Sequence, residues 1–265
     1  MVFDLTARKL PAQAIPRMLQ PFPNLALEAV ALERPDSCHV HHVSSLHELI
    51  GRPLTGTVNA LCWERTLPGD FANIVSCLAG SQEQSVLTLE PAMLRRLPLS
   101  HQGRIAMEVM LADHRFLSER NLDPMLNCVF SYPQDERSGP IATDVFSFHV
   151  DSAPCAFETW LCTYHGPGSE GLPNAHARRH IDVPATRAVL LAAYGGSDDA
   201  GFQDYLTENA YDLHYAALAG ARPYSFGTGH LWRIATQHPG SAVQACIHRA
   251  PSPAPDHAPR LLLIS

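Results

Sequence analysis

The residues with the clearest chemical potential are Phe148-His149-Val150-Asp151. On a β-strand, side chains two apart point to the same face. His149 and Asp151 would then aim an imidazole and a carboxylate at one point. Two such groups need a third ligand to hold a metal. His248, closing the β-like run Ala242 to His248, is the best placed. Two neutral imidazoles and one carboxylate on one face of an ion suit Fe(II) and leave the opposite positions open for a bidentate co-substrate and dioxygen. Read alone, a His-x-Asp triplet is equally a strand-end histidine hydrogen-bonded to a nearby aspartate.

These residues need a scaffold. The chain has 265 residues, 46% hydrophobic and 17% charged, enough for one compact body with a sizeable core. The expectation is a single domain over residues 1–265. The first forty residues are punctuated by proline and are expected to wrap the surface. From Leu87 to about Asn121 the pattern is helical, with Met93, Leu94 and Leu97 in one apolar cluster and Ile105, Val109, Ala112 and Phe116 in another. Pro91 suits a helix start. The texture changes near Ser138-Gly139-Pro140. Short β-like runs follow: Asp144 to Val150, Ala156 to Tyr164, Arg187 to Tyr194, His230 to Thr236, Ala242 to His248 and Arg260 to Ile264. A helical insert is expected at roughly Ala200 to Ala219. The fold class is therefore α+β: a mostly helical half, residues 1–137, packed on a β-sandwich or barrel, residues 138–265.

The order of the candidate ligands, with Arg249 directly after His248 and Arg260 one predicted strand later, resembles the Fe(II)/2-oxoglutarate-dependent oxygenase superfamily. The run FHVDSAPCAFETWLCTYHGPGSEGLP, with CIHRAP and PRLLLI downstream, also looks like an uncharacterised bacterial domain family within reach of that superfamily. VNALCWERTLPGDF resembles its N-terminal strand. The likeness covers about residues 57–264. It implies a double-stranded β-helix, or jelly roll, with N-terminal helices packed on one sheet. It also implies that His149, Asp151 and His248 are the metal ligands and that Arg260 clamps the far carboxylate of 2-oxoglutarate. A guanidinium suits that task because its planar fork gives a carboxylate two parallel hydrogen bonds. Arg249 is the rival clamp, although strand alternation points it away from His248. Thr163 or Tyr164 is a further candidate for a co-substrate hydrogen bond, beside the plainer reading of Tyr164 as a packed aromatic. The filled carboxylate position at Asp151 argues against halogenation. Hydroxylation, desaturation or ring closure of a small molecule, begun by hydrogen abstraction, is the expected chemistry. An amino-acid-like substrate is one reading, with Arg178, Arg179 and Arg222 as carboxylate binders.

Other constellations are weaker. Cys38-His39-Val40-His41-His42 has the donors of a zinc site but no second set of spaced ligands. His176 and His180 are expected in a loop. Gly168-Ser169-Glu170-Gly171 has the wrong spacing for a nucleophile elbow, and Gly227-Thr228-Gly229 reads as a turn. Trp63, Trp160 and Trp232 read as core or pocket walls. The net charge of -7 and the scattered basic residues exclude an obvious nucleic-acid surface. No stretch reaches the roughly 18 apolar residues of a membrane helix. Seven cysteines without a CxxC pair read as reduced thiols, and the N-terminus lacks a signal-like apolar core, so the expected location is cytoplasmic. The competing functions are a zinc-binding or metal-handling protein on the same fold, and a metal-dependent dioxygenase or isomerase that needs no 2-oxoglutarate.

Overall fold

A computed structural model describes residues 39–81, 85–132, 139–252 and 258–265. The proline-rich first segment, Cys38 and part of the stretch before Arg260 lie outside these.

The architecture is mixed α+β, built on two sheets. The larger has seven strands in the order β1 (Val40–Val43), β2 (Ala60–Trp63), β11 (Leu231–Ala235), β6 (Glu158–His165), β13 (Arg260–Ile264), β4 (Met125–Val129) and β3 (Val86–Thr88). The smaller has six: β10 (Tyr224–Ser225), β7 (Glu170–Leu172), β12 (Ile247–Arg249), β5 (Phe148–His149), β9 (His214–Ala217) and β8 (Ala177–Arg179). Every pairing is antiparallel except β1 with β2. The helices are α1 (Leu46–Gly51), α2 (Phe71–Leu78), α3 (Pro91–Leu94), α4 (His101–Ser118), α5 (Pro184–Tyr194) and α6 (Ala200–Glu208).

Strand β6 shows why the layers form. Its side chains alternate, as a pleated strand requires. Trp160, Cys162 and Tyr164 join Ile74, Leu78, Met107 and Met110 in a core between the large sheet and helices α2 and α4. Leu161 points the other way, into a second core with Cys62, Trp232, Ile234 and, from the small-sheet side, Tyr224, Phe226 and Cys246. The two sheets therefore face each other. The far face of the small sheet carries a third cluster, Phe148, Val150, Leu172, Ala245 and Ile247.

Helix α4 starts where Ser100 caps it, accepting from the Gly103 amide at 3.0 Å. It buries Ala106, Met107, Met110, Leu111 and Leu117, the stripe expected of an amphipathic helix. Burying a side chain such as Met110 contributes about 1.5–3 kcal/mol. Gly103 is required by packing: a Cβ there would sit 2.2 Å from Asn73 Oδ1, which accepts from the Ser100 amide. Pro91 opens α3, as its fixed φ favours.

Some expectations change. Residues 40–129 hold four strands as well as four helices, and those strands complete the large sheet. Arg187 to Tyr194 is not a strand but most of α5, begun by Pro184 and stopped by Gly195 in the left-handed region (φ 74°). A short apolar run does not separate helix from strand by periodicity, and these end signals decide it. The insert is α-helical to Glu208 and ends its helical part in a 3-10 turn at Tyr211–Leu213. Its last part is strand β9, which pairs with β5.

Candidate metal centre

The site grows from the parity of two short strands. On β5 and just beyond it, Phe148 and Val150 face the outer cluster, and His149 and Asp151 face the space between the sheets, where Asp151 meets Thr159. On β12, Ile247 is outward and His248 inward. His248 lies directly opposite His149 in the antiparallel register. The two rings are 4.7 Å apart between centroids. One ligand atom each from His149, Asp151 and His248 all fall within 4.8 Å of one another, a cluster that could hold a metal ion.

The hydrogen bonds orient the donors. His149 Nδ1 donates to the Ser147 carbonyl at 2.8 Å, and His248 Nδ1 donates to the Cys246 carbonyl at 3.2 Å. A carbonyl only accepts, so both rings carry their proton on Nδ1 and leave Nε2 as a lone-pair donor. This is the usual arrangement of metal-binding histidines. Burial, then the neighbouring His248, lowers the His149 pKa and favours the neutral ring that a metal needs. Asp151 Oδ2 accepts from Thr159 Oγ1 at 2.6 Å and stands 3.7 Å from His248 Nε2. Thr159 thus fixes the rotation of the carboxylate. Phe226, buried and stacked on Trp232 at 4.2 Å, forms an apolar wall 6.4 Å from the His248 ring. The set of two imidazoles and one carboxylate, with no thiolate among the donors, fits Fe(II).

No family model, no curated protein and no solved structure matches the chain.

Arg260 is placed for a different task. It is only 4% exposed and lies on the inter-sheet face of β13, opposite in parity to the core residues Leu261 and Leu263. Its Nη2 donates to Thr163 Oγ1 at 3.1 Å and Ser169 Oγ at 3.0 Å, and its Nη1 donates to Tyr132 Oη. Its Nε is buried and has no partner among the described residues. Among the described residues its partners are all neutral hydroxyls, and burial lowers the pKa of the guanidinium. Ser169 is two residues from Gly171, the cross-strand neighbour of His248. The Arg260 guanidinium therefore meets the chain two residues before the cross-strand neighbour of His248.

The other candidates part company. Arg249 pairs with Glu170 at 2.6–2.7 Å and covers the outward Phe148 ring, on the far side of the sheet from His248. Tyr164 points toward the helices, stacks on Phe71 and donates to Asp113 Oδ2 at 2.9 Å. Thr163, its neighbour, is the residue that reaches Arg260. Arg179 pairs with Asp182 at 2.8 Å and shares the outer face with Tyr215. His41 and His42 turn to Glu48 and Glu64. His39 is buried beside Tyr224. Six described cysteines are free, four of them buried. Trp160 and Trp232 are core walls.

Sequence reasoning missed Tyr132, Thr159, Ser169, Phe226 and His214. The period of two along β6 carries a signal for Thr159, which shares a face with Thr163. Tyr132 and Phe226 lie outside strands and carry none. His214 was hidden inside the expected helical insert. No helix among the described residues is long and apolar enough to cross a membrane.

Proposed function

We propose that the protein is a mononuclear non-haem Fe(II)/2-oxoglutarate-dependent oxygenase that oxidises a C–H bond of a small molecule. The carrying observation is the convergence of His149, Asp151 and His248, with both histidines committed through Nδ1 to carbonyls. Strand order supports a double-stranded β-helix. Eight strands, β4, β5, β6, β7, β10, β11, β12 and β13, taken as first to eighth, give 1-8-3-6 in the large sheet and 2-7-4-5 in the small one. That is the order of a jelly roll.

In this reading His149, Asp151 and His248 hold the iron. Bound iron supplies the activation of dioxygen that couples decarboxylation of 2-oxoglutarate to oxidation of the substrate. Arg260 receives the far carboxylate of 2-oxoglutarate, and Thr163, Ser169 and Tyr132 hold the guanidinium flat for it. An almost fully buried cation with no carboxylate partner among the described residues costs several kcal/mol, and an anionic co-substrate offsets that cost. Thr159 keeps Asp151 turned toward the metal. Phe226 keeps water from one side of the His248 ring.

The test is an anaerobic titration with Fe(II) followed by 2-oxoglutarate. A weak visible metal-to-ligand band that saturates with both is expected. Tight metal binding with no response to 2-oxoglutarate would select a metal-handling protein or an oxygenase of another type.

A further inference from the structure

The insert between β7 and β10 contributes to the centre as well as bordering it. We propose that His214, on β9, is a positioning residue for the metal ligand His149, acting through Ser147. The proposal rests on the reading of His149, Asp151 and His248 as a metal centre.

His214 lies directly opposite His149 in the β5/β9 register, so both side chains share the inter-sheet face. The ring centroids are 5.5 Å apart. His214 is buried and does not join the three converging ligands. Its Nδ1 is 2.7 Å from Ser147 Oγ. The Ser147 hydroxyl proton is used on the Asp144 carbonyl at 2.9 Å. Ser147 Oγ therefore accepts, and His214 donates from Nδ1–H.

Ser147 is held from several directions. Its amide donates to Asp144 Oδ1 and to the Asp144 carbonyl, both at 3.2 Å. Its own carbonyl receives the Nδ1–H of His149 at 2.8 Å. The direction of that carbonyl sets the plane of the His149 ring and hence where its Nε2 lone pair points. Strand β5 has only two residues, so the ladder alone holds the preceding turn weakly. His214 joins the Asp144 carboxylate as a side chain that secures it. A hydrocarbon of equal size would fill the space and leave Ser147 Oγ without its donor.

Three variants of the full chain separate this role from packing. Asn at 214 places an amide N–H near the position of Nδ1. Gln places it near Nε2. Phe removes it. The readout is Co(II) affinity by visible absorption, without 2-oxoglutarate, beside the urea midpoint of each metal-free protein. His214→Asn is expected to bind Co(II) nearly as the unmodified protein does. His214→Gln and His214→Phe are expected to bind it about 10- to 100-fold more weakly. Ser147→Ala should match His214→Phe, and the double variant should be no weaker than either. Wild-type affinity in His214→Phe and His214→Gln overturns the proposal. So does an Asn variant as weak as Phe, or additive losses in the double variant. Failure of the unmodified protein to bind Co(II) overturns the metal centre itself, and this proposal with it.

Discussion

Under the proposed function, replacing Arg260 by alanine should separate 2-oxoglutarate binding from metal binding. The guanidinium is 4% exposed and its described partners are three hydroxyls, so solvent does little to screen it. Removing one partner of a buried, hydrogen-bonded charge pair costs about 2–5 kcal/mol. The low exposure and an Nε with no partner among the described residues favour the middle of that range, about 3–4 kcal/mol, or roughly 100- to 1,000-fold in affinity. Arg260→Lys keeps the charge but loses the planar fork and should fall between the two. The ligands His149, Asp151 and His248 stand on the other sheet and make no described contact with Arg260, so Fe(II) affinity should stay within about threefold. The assay is anaerobic calorimetry of 2-oxoglutarate into the Fe(II)-loaded variants, with metal affinity measured separately. Wild-type 2-oxoglutarate affinity in Arg260→Ala would refute the reasoning. Arg249 would not rescue it without first leaving Glu170.

Thr159→Val should free the Asp151 carboxylate and weaken metal binding about 10- to 100-fold, read by metal titration; an unchanged affinity would remove Thr159 from the site. Asp113→Ala should destabilise the fold by about 3–5 kcal/mol in urea, because it strands the mostly buried Arg65 that it now meets with two 2.8 Å bonds. In metal-free protein, stability should fall on acidification. Burial, then His149 and His180, push the His214 pKa down to about 4, below its unfolded value of about 6.5. The unfolded chain then takes up the proton first, so stability is complete above about pH 6.5 and declines as pH drops toward about 4. For His214 alone the loss at pH 5 is about 2 kcal/mol, and urea midpoints that do not move between pH 7 and pH 5 would contradict it.

The parts of this molecule that were legible in its sequence are those governed by local period. Arg260 to Ile264 is a strand with the predicted limits, and Glu158–His165 follows its alternating pattern closely. The pairing of His149 with Asp151 followed from the same alternation. What was not legible depended on partners distant in the chain. Strands β1, β3 and β4 are three to five residues long and look like connections until the large sheet gathers them, whereas β2 falls in VNALCWERTLPGDF, where the resemblance implied a strand. Residues 214–217 continue an apparently helical insert and become a strand only because β5 and β8 offer free ladders on either side. His248 was a candidate by its place in the chain, yet only the register opposite His149 brings its ring beside the others. Arg260 had a rival in Arg249, and Tyr164 was offered for a separate hydrogen bond; what separates the three is which face each occupies and what it meets there.

Strand β6 has a consequence for how such a protein changes over time. One side of it, Thr159 and Thr163, touches Asp151 and Arg260. The other side, Trp160, Cys162 and Tyr164, seats the helices. Adjacent residues in the gene thus answer to different demands. Under the proposed function, substitutions at Thr159 and Thr163 act on the site, while Leu161 and the even-numbered residues keep the chain foldable. A library confined to positions 159 and 163 would vary the surroundings of Asp151 and Arg260 from an intact scaffold, whereas one spread evenly along the strand would lose many members to misfolding.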